Sequence, residues 1–252
     1  MTRQESREMN DRLANRWPDF IGVEKRIEGE RDFLLNALGP PPSRILDAAM
    51  GVGCEAALLA GEGFSVTGNE IDPVLRQLGQ ARLKSLGLEV PILSLNWLDL
   101  HSQLPRHSFE CLLILGNSFC FLHDAEDRLK AAKSFRAVCT STGRVIVDRR
   151  NYEYILDNRS SILTRGFRYR ANTMYCGTLV TARPIAIEES LVRFAYSDNA
   201  TGEIIGHLDM YPLRDHEIRS AFAAAGFSRS TRYSDLQIGF DPDADFYTYI
   251  FQ

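Results

Sequence analysis

Between Ser43 and Asp148, short apolar runs alternate with stretches of helical spacing, and no other feature narrows the fold as far. Arg44–Ala48 reads as a strand entering a glycine-bearing loop, Cys54–Gly61 as a helix, Phe64–Asn69 as a second strand and Pro73–Leu86 as a second helix. Pro91–Leu95 gives a third strand. Phe109–Leu115 (FECLLIL) is an almost unbroken apolar run, as a parallel strand covered on both faces requires. Ala125–Val138 spaces Leu129, Ala132, Phe135 and Val138 as a helix does, and Gly143 is read as the turn into a strand over Arg144–Asp148. Strands joined through helices imply right-handed crossovers, so the pattern predicts a doubly wound α/β sheet.

The flanks have a different rhythm. The first forty residues read as amphipathic helix, with Ile27, Phe33, Leu34, Leu35 and Leu38 on one stripe, and Gly39-Pro40-Pro41-Pro42 ends the segment. Beyond Asp148, residues 166–182, 184–197 and 203–212 read as extended segments, with turns at Arg183-Pro184 and Asp198-Asn199. Arg214–Ala225 is a helix closed by Gly226, and Phe227–Tyr233 with Phe246–Phe251 form a terminal hairpin. The expected organisation is a helical cap over 1–42, a sheet domain built from 43–165 and 213–252, and an antiparallel β lid over 166–212.

Charge excludes some partners. The chain carries 29 Lys+Arg against 33 Asp+Glu, well mixed, which argues against a nucleic acid or an anionic membrane as partner. Arg165, Arg168 and Arg170 form the one short basic cluster. The cysteines are scattered without a C-x-x-C pair and the histidines show no ligand spacing, so no metal is expected. The polar N-terminus lacks the apolar core of a signal peptide, and no apolar stretch nears the ~20 residues that cross a bilayer. A cytoplasmic enzyme is expected.

The loop after the first strand reads Asp47-Ala48-Ala49-Met50-Gly51-Val52-Gly53. Small residues there let a ligand approach the backbone, and the following helix N-terminus favours an anionic group. The dinucleotide fingerprint G-x-G-x-x-G fits poorly, which counts against a nicotinamide dehydrogenase. The loop resembles motif I of class I S-adenosylmethionine-dependent methyltransferases, with alanine in place of the first glycine. Glu70 ends the second strand, where a carboxylate is placed to accept both hydroxyls of a ribose. Asp72, just before Pro73, is read as a helix cap.

Longer strings sharpen the resemblance. Asn96-Trp97-Leu98 follows the third strand, Leu115–Phe119 (LGNSF) the fourth, and Val147–Leu156 (VDRRNYEYIL) goes with the fifth. Together with the glycine loop they resemble the glycine N-methyltransferase family, including the bacterial glycine/sarcosine enzymes, from about Trp17 to the C-terminus. The resemblance implies a Rossmann-like class I methyltransferase sheet with an antiparallel β insertion and an N-terminal helical cap. It implies S-adenosylmethionine as cofactor and S-adenosylhomocysteine as its product. Ala49, Gly51 and Gly53 would hold the methionine end, Glu70 the ribose, and Asn96 and Trp97 the adenine. The Leu115 backbone would lie near the amino group or sulfonium. Arg26 matches the family arginine that grips the cofactor carboxylate, and Trp17 the tryptophan near the same ligand. Asn117 and Arg150 match the pair that binds the acceptor amino acid and carries catalysis. Tyr169 and Tyr211 fall where family tyrosines line the acceptor pocket, and Phe20 where the family has a tyrosine. A homo-oligomer, dimer or tetramer, is also implied.

Elementary chemistry agrees. A sulfonium methyl group is already activated, so positioning can supply most of the catalysis. The planar fork of Arg150 suits a carboxylate, and Asn117 can accept a hydrogen bond from the acceptor nitrogen. Blander roles also fit: Arg149 and Arg150 as an ion-paired couple with Glu153 or Asp157, Asn117 as a turn cap, Tyr152 and Tyr154 as packing. Three departures from the family make the pocket more apolar: Cys120-Phe121 where Ala-His is common, Phe20 without a hydroxyl, and Met50 for a small cysteine. The reading is an S-adenosylmethionine-dependent N-methyltransferase acting on the amine of a small amino-acid-like acceptor held by its carboxylate. The alternatives are an O- or C-methyltransferase of a small natural-product precursor, or a non-catalytic S-adenosylmethionine-binding module using Phe167–Tyr175 as a protein-binding surface.

Overall fold

The computed structural model describes residues 9, 11–167, 169 and 174–252. Two sheets are present among them. The larger has eight strands in the order β10-β9-β11-β5-β4-β1-β2-β3. Its parallel part comprises β1 (Arg44–Asp47), β2 (Ser65–Asn69), β3 (Ile92–Leu93), β4 (Phe109–Ile114) and β5 (Cys139–Arg150). The antiparallel edge comprises β9 (Ser230–Ser234), β10 (Gln237–Ile238) and β11 (Phe246–Phe251), with β11 paired to β5.

Period-two alternation sends neighbouring residues of each strand into different cores. Ile45, Leu113, Ile146 and Ile250 join Leu34, Leu38, Leu59 and Leu83 on one face. Leu46, Leu112, Val145 and Phe251 join Phe135 and Phe222 on the other. The first face is covered by α2 (Val23–Leu38), α3 (Cys54–Gly61) and α4 (Pro73–Ser85), the second by α5 (Ala125–Val138) and α8 (Asp215–Ala224). A short helix α1 (Trp17–Ile21) precedes α2, and the left-handed Gly22 (φ +64°) breaks the two apart. After β5 come α6 (Tyr152–Asp157) and α7 (Arg159–Arg165).

Several boundaries differ from the sequence reading. Gly143 lies inside β5, because α5 passes straight into the strand at Cys139. The same strand continues to Arg150, so both of its terminal arginines are enclosed by the sheet's covering layers. The smaller sheet is β6 (Val180–Ile187), β7 (Val192–Asp198) and β8 (Ile204–Met210), all antiparallel. Arg183-Pro184 is not a turn. It sits within β6, where a bulge between Pro184 and Ala186 absorbs the residue without an N–H. The turn lies at Glu188–Leu191, closed by a Glu188 N–H to Leu191 carbonyl bond. Of the expected 166–182 segment, only Val180–Ala182 is strand among the described residues; Arg168 and Arg170 lie outside them. Among the described residues no helix is long and apolar enough to cross a membrane.

A short strap, residues 174–177, crosses α1 and ties it down. Cys176 N–H donates to the Ile21 carbonyl and Gly177 N–H to that of Phe20. A Cβ on Gly177 would lie 1.9 Å from the Asp19 carbonyl oxygen and 2.4 Å from that of Phe20, both backbone atoms. Gly177→Ala is therefore expected to cost roughly 3 kcal/mol or more, since the helix must move away; a thermal melt against wild type measures it.

Candidate active site

The C-terminal ends of the parallel strands open with α1 and α2 onto a cavity of about 500 Å³. The loop after β1 forms its floor. Gly51 takes φ +54°, and a Cβ there would meet no atom closer than the Ala49 carbonyl at 4.0 Å, so this turn faces open space. Gly53 (φ +78°) caps α3, and its own Cβ position points at Gly79 and Leu83 of α4, away from the cavity. Gly53 is not among the cavity-lining residues, and its lack of a side chain lets the chain turn and α4 pack close.

Glu70 directly follows β2, with both carboxylate oxygens anchored. One accepts from Gly51 N–H and the other from Asp72 N–H, each at 2.8 Å. Burial raises its pKa, and the two amides pull it back. Asp72 caps α4 through the Val74 and Leu75 amides. Trp97 donates its indole N–H to the Ala48 carbonyl at 2.7 Å, which fixes the ring at the cavity wall, while Asn96 caps the turn that carries it. Asn69, unremarked in the sequence, stitches the strand ends: Leu95 N–H donates to its Oδ1, and its Nδ2 donates to the Ala48 and Leu95 carbonyls.

Arg26 reaches the cavity from α2 and is 4% exposed. Its Nε donates to Glu55 Oε1 at 2.8 Å, and its Nη2 lies 2.6 Å from the same oxygen and 3.3 Å from Glu30 Oε1. Its Nη1 donates to the Met174 carbonyl at 3.3 Å. Of the residues expected to hold a cofactor, Trp17, Arg26, Ala49, Gly51, Glu70, Asn96, Trp97 and Leu115 line this cavity; Gly53 does not.

A second, enclosed cluster lies alongside. After β4, Gly116 and Asn117 donate their backbone N–H groups to the two carboxylate oxygens of Asp148. Burial lifts the Asp148 pKa to about 6, against the pull of Arg26 and of those two amides. The fold holds this proton more tightly than the unfolded chain does. Asp148's contribution to stability is therefore largest below the ordinary carboxyl range and declines as pH rises through about 6. Asp148→Asn, which cannot ionise, should flatten that part of a melting-temperature profile between about pH 4 and about pH 6.

Asn117 adopts φ +62° and is wholly buried. Its Oδ1 accepts from the Arg150 backbone N–H at 2.9 Å, and its Nδ2 contacts Tyr152 Oη at 2.9 Å and Met210 Sδ at 2.8 Å. Its amide is thus engaged in holding neighbouring residues. Tyr152 packs, as expected, and also takes this hydrogen bond.

Arg150 is fully buried. Its Nε donates to Tyr169 Oη at 2.8 Å, its Nη1 lies 3.0 Å from Met210 Sδ, and its Nη2 has no hydrogen-bond partner. The guanidinium lies 4.3 Å from the Phe194 ring centroid and 4.8 Å from that of Tyr175. No carboxylate pairs with it among the described residues; Glu153 pairs with Arg149 instead, at 2.6 Å. The buried Tyr196 hydroxyl faces Arg150 closely and makes no hydrogen bond of good geometry. Phe20 stacks on Tyr175 at 4.5 Å and meets Tyr196 edge-on at 5.0 Å, as expected of a residue in this wall.

Tyr211 departs from expectation. Its hydroxyl donates to Glu217 at 2.6 Å and its ring lies under Arg128, so none of these contacts involves Arg150. The residue before it, Met210, ends β8 and is the one that reaches the guanidinium. Tyr175 links the cavity to the Arg150 cluster, because its ring lies beside Arg150 while its hydroxyl donates to the Gly116 carbonyl at the cavity wall.

A doubly wound sheet whose strand ends, glycine loop and terminal carboxylate enclose a cavity in this way defines a class I S-adenosylmethionine-dependent methyltransferase. A family model described as "Methyltransferase domain" matches residues 46–147. A methyltransferase of known structure from Clostridium acetobutylicum superposes with a TM-score of 0.67 at 16% identity, over 91% of each chain. Another, from Bacteroides fragilis, solved with S-adenosylhomocysteine, gives a TM-score of 0.53 at 17% identity, over 89% of this chain and 76% of that one. The glycine/sarcosine N-methyltransferase of Parasynechococcus marenigrum is 32% identical over 243 residues, 94% of this chain and 82% of that protein. The chain belongs to the glycine/sarcosine N-methyltransferase family, and it is an enzyme that uses S-adenosylmethionine.

Proposed function

We propose that this enzyme methylates the amino nitrogen of glycine or a similarly small amino acid, with Arg150 holding the acceptor carboxylate. The carrying observation is the buried Arg150 guanidinium, which has no carboxylate partner among the described residues and an Nη2 without a hydrogen-bond partner. A buried cation left unpaired is costly, and a bound carboxylate relieves that cost. The Tyr196 hydroxyl beside it adds a second donor to the same point.

The donor fits the neighbouring cavity on the chemistry of its walls. Glu70 presents a fixed carboxylate to a ribose diol, Trp97 and Asn96 flank the adenine, and the open Gly51 turn admits the methionine chain. Arg26 takes the donor carboxylate, with Ala49, Trp17 and the Leu115 backbone around the amino acid end. When bound, the donor supplies a methyl group already activated on sulfur.

The remaining tasks fall to the chain's own residues. Arg150 and Tyr196 fix the acceptor, and Asn117 positions Arg150 through its backbone N–H. Phe20, Tyr169 and Tyr175 exclude water from the acceptor nitrogen, and that desolvation favours the neutral amine needed for attack. The reading extends to a homo-oligomer, dimer or tetramer, in the cytoplasm. The five buried cysteines form no disulfide among the described residues, which suits a reducing compartment, and light scattering checks the assembly. Mass spectrometry of an incubation with S-adenosylmethionine and a panel of amino acids tests the reaction. A gain of one or more methyl groups on the nitrogen of glycine or sarcosine is expected. Methylation confined to hydroxyl or carbon acceptors lacking a carboxylate would overturn the reading.

A further inference from the structure

Arg26 is held in an unusual way for a residue whose task is to meet an anion. Two buried glutamates, Glu30 four residues along α2 and Glu55 on α3, crowd the same edge of its guanidinium. Both contacts from Glu55 are to Nε and Nη2, and Glu30 approaches Nη2 as well. Nη1 is left on the opposite side, where it donates to the Met174 carbonyl at 3.3 Å and where a Cβ on Gly116 would lie 3.9 Å from it. Glu30 Oε1, 3.3 Å from Nη2, has no hydrogen bond of good geometry.

We infer that Glu30 and Glu55 form a clamp that grips the Nε–Nη2 edge of Arg26 and presents Nη1 to the carboxylate of the methyl donor. This rests on the proposed role of Arg26. Glu30 and Glu55 are positioning residues: they act on the donor through Arg26. Two buried carboxylates in contact do not both ionise beside a single guanidinium without a large cost, so one keeps its proton. That one is Glu30. Burial drives its pKa well up; Arg26 pulls it down, while Glu55 and Asp148 push it further up. The other groups facing this cluster are Cys54 from α3, Asp47 from β1, Asp148 from β5 and Cys176 from the strap.

With Glu30 protonated, the clamp carries one negative charge and leaves Arg26 free to attract the donor's carboxylate. As pH rises through the raised range of Glu30, a second negative charge appears behind Arg26 and competes with that carboxylate. Donor affinity should then fall.

Calorimetry with two probes tests this: S-adenosylhomocysteine, which has the carboxylate, and 5′-methylthioadenosine, which lacks the amino acid end. Glu30→Gln keeps the shape and the neutral state. It should bind S-adenosylhomocysteine within about threefold of wild type and lose the decline in affinity that wild type shows as pH rises above the ordinary carboxyl range. Glu30→Ala loses the clamp and should bind S-adenosylhomocysteine about tenfold more weakly, with 5′-methylthioadenosine unchanged. Equal weakening of both probes in Glu30→Ala would overturn the clamp, as would a pH decline that persists in Glu30→Gln. Arg26→Ala separates the two levels of the argument. If it fails to weaken S-adenosylhomocysteine selectively, the role of Arg26 itself falls. If it does so while both Glu30 variants match wild type, only the clamp falls.

Discussion

Arg150→Ala is expected to raise the acceptor KM by roughly thirtyfold or more and to leave the affinity for S-adenosylhomocysteine within about twofold of wild type. The size follows from what the side chain is. A guanidinium paired with a carboxylate away from water contributes about 2–5 kcal/mol when one partner is removed, which is about one and a half to more than three orders of magnitude in affinity. The selectivity follows from where it sits: Arg150 does not line the donor cavity, and Tyr175 stands between. Arg150→Lys should recover little, because an ammonium cannot donate at once to Tyr169 and to both oxygens of a carboxylate in the guanidinium's plane. Steady-state kinetics with glycine, paired with calorimetry of the product nucleoside, measures both quantities. A loss shared equally between acceptor and donor would place Arg150 in the framework of the protein instead.

The second large effect is expected at Glu70. Glu70→Ala removes the proposed ribose acceptor and also strips Gly51 N–H and Asp72 N–H of their partner. Each hydrogen bond to a charged group contributes about 1.5–3 kcal/mol, so S-adenosylhomocysteine binding should weaken about 10- to 100-fold or more. Glu70→Gln keeps one carbonyl oxygen for one of the two amides, so a smaller loss is expected from it. Calorimetric titration of both variants reads the order, and 5′-methylthioadenosine should follow the same order because it retains the ribose. An unchanged affinity in Glu70→Ala would remove the sugar from this carboxylate.

Most of the framework was legible because the central parallel strands are covered on both faces and so write themselves as apolar runs. Phe109–Ile114 and Val145–Val147 are such runs, and the chain reads them correctly even without a partner. The glycine loop and Glu70 were legible because a turn and a strand end leave a local mark. What depended on packing across the chain was not. Gly53 shares the motif with Gly51, yet only the docking of α4 reveals that one glycine faces a helix and the other the cavity. Tyr211 matched by position, but the end of β8 places Met210 inward and turns Tyr211 toward Arg128 and Glu217. Tyr196 alternates with Phe194 on β7, a period-two pattern that marks a buried face and says nothing of the guanidinium beneath it. Glu30 is visible from Arg26 at helical spacing, whereas Glu55 enters only by tertiary contact. Arg183-Pro184 carried a turn signal that the bulge in β6 overrode.

Arg149 and Arg150 stand side by side at the end of β5, yet they differ in every partner. Arg149 spends its charge on Glu153 and Tyr249, while Arg150 keeps its charge unspent among aromatic rings. Strand alternation alone decides which arginine faces which way, and the pairing of Phe246 with Arg150 and Tyr247 with Arg149 locks that choice. A one-residue slip of β11 would bring Tyr247 in place of Phe246 to the face that carries Arg150, and so change the ring wall around that cation. The proposed acceptor site thus depends on the registry of the chain's last strand, a feature remote in sequence from the arginine it frames.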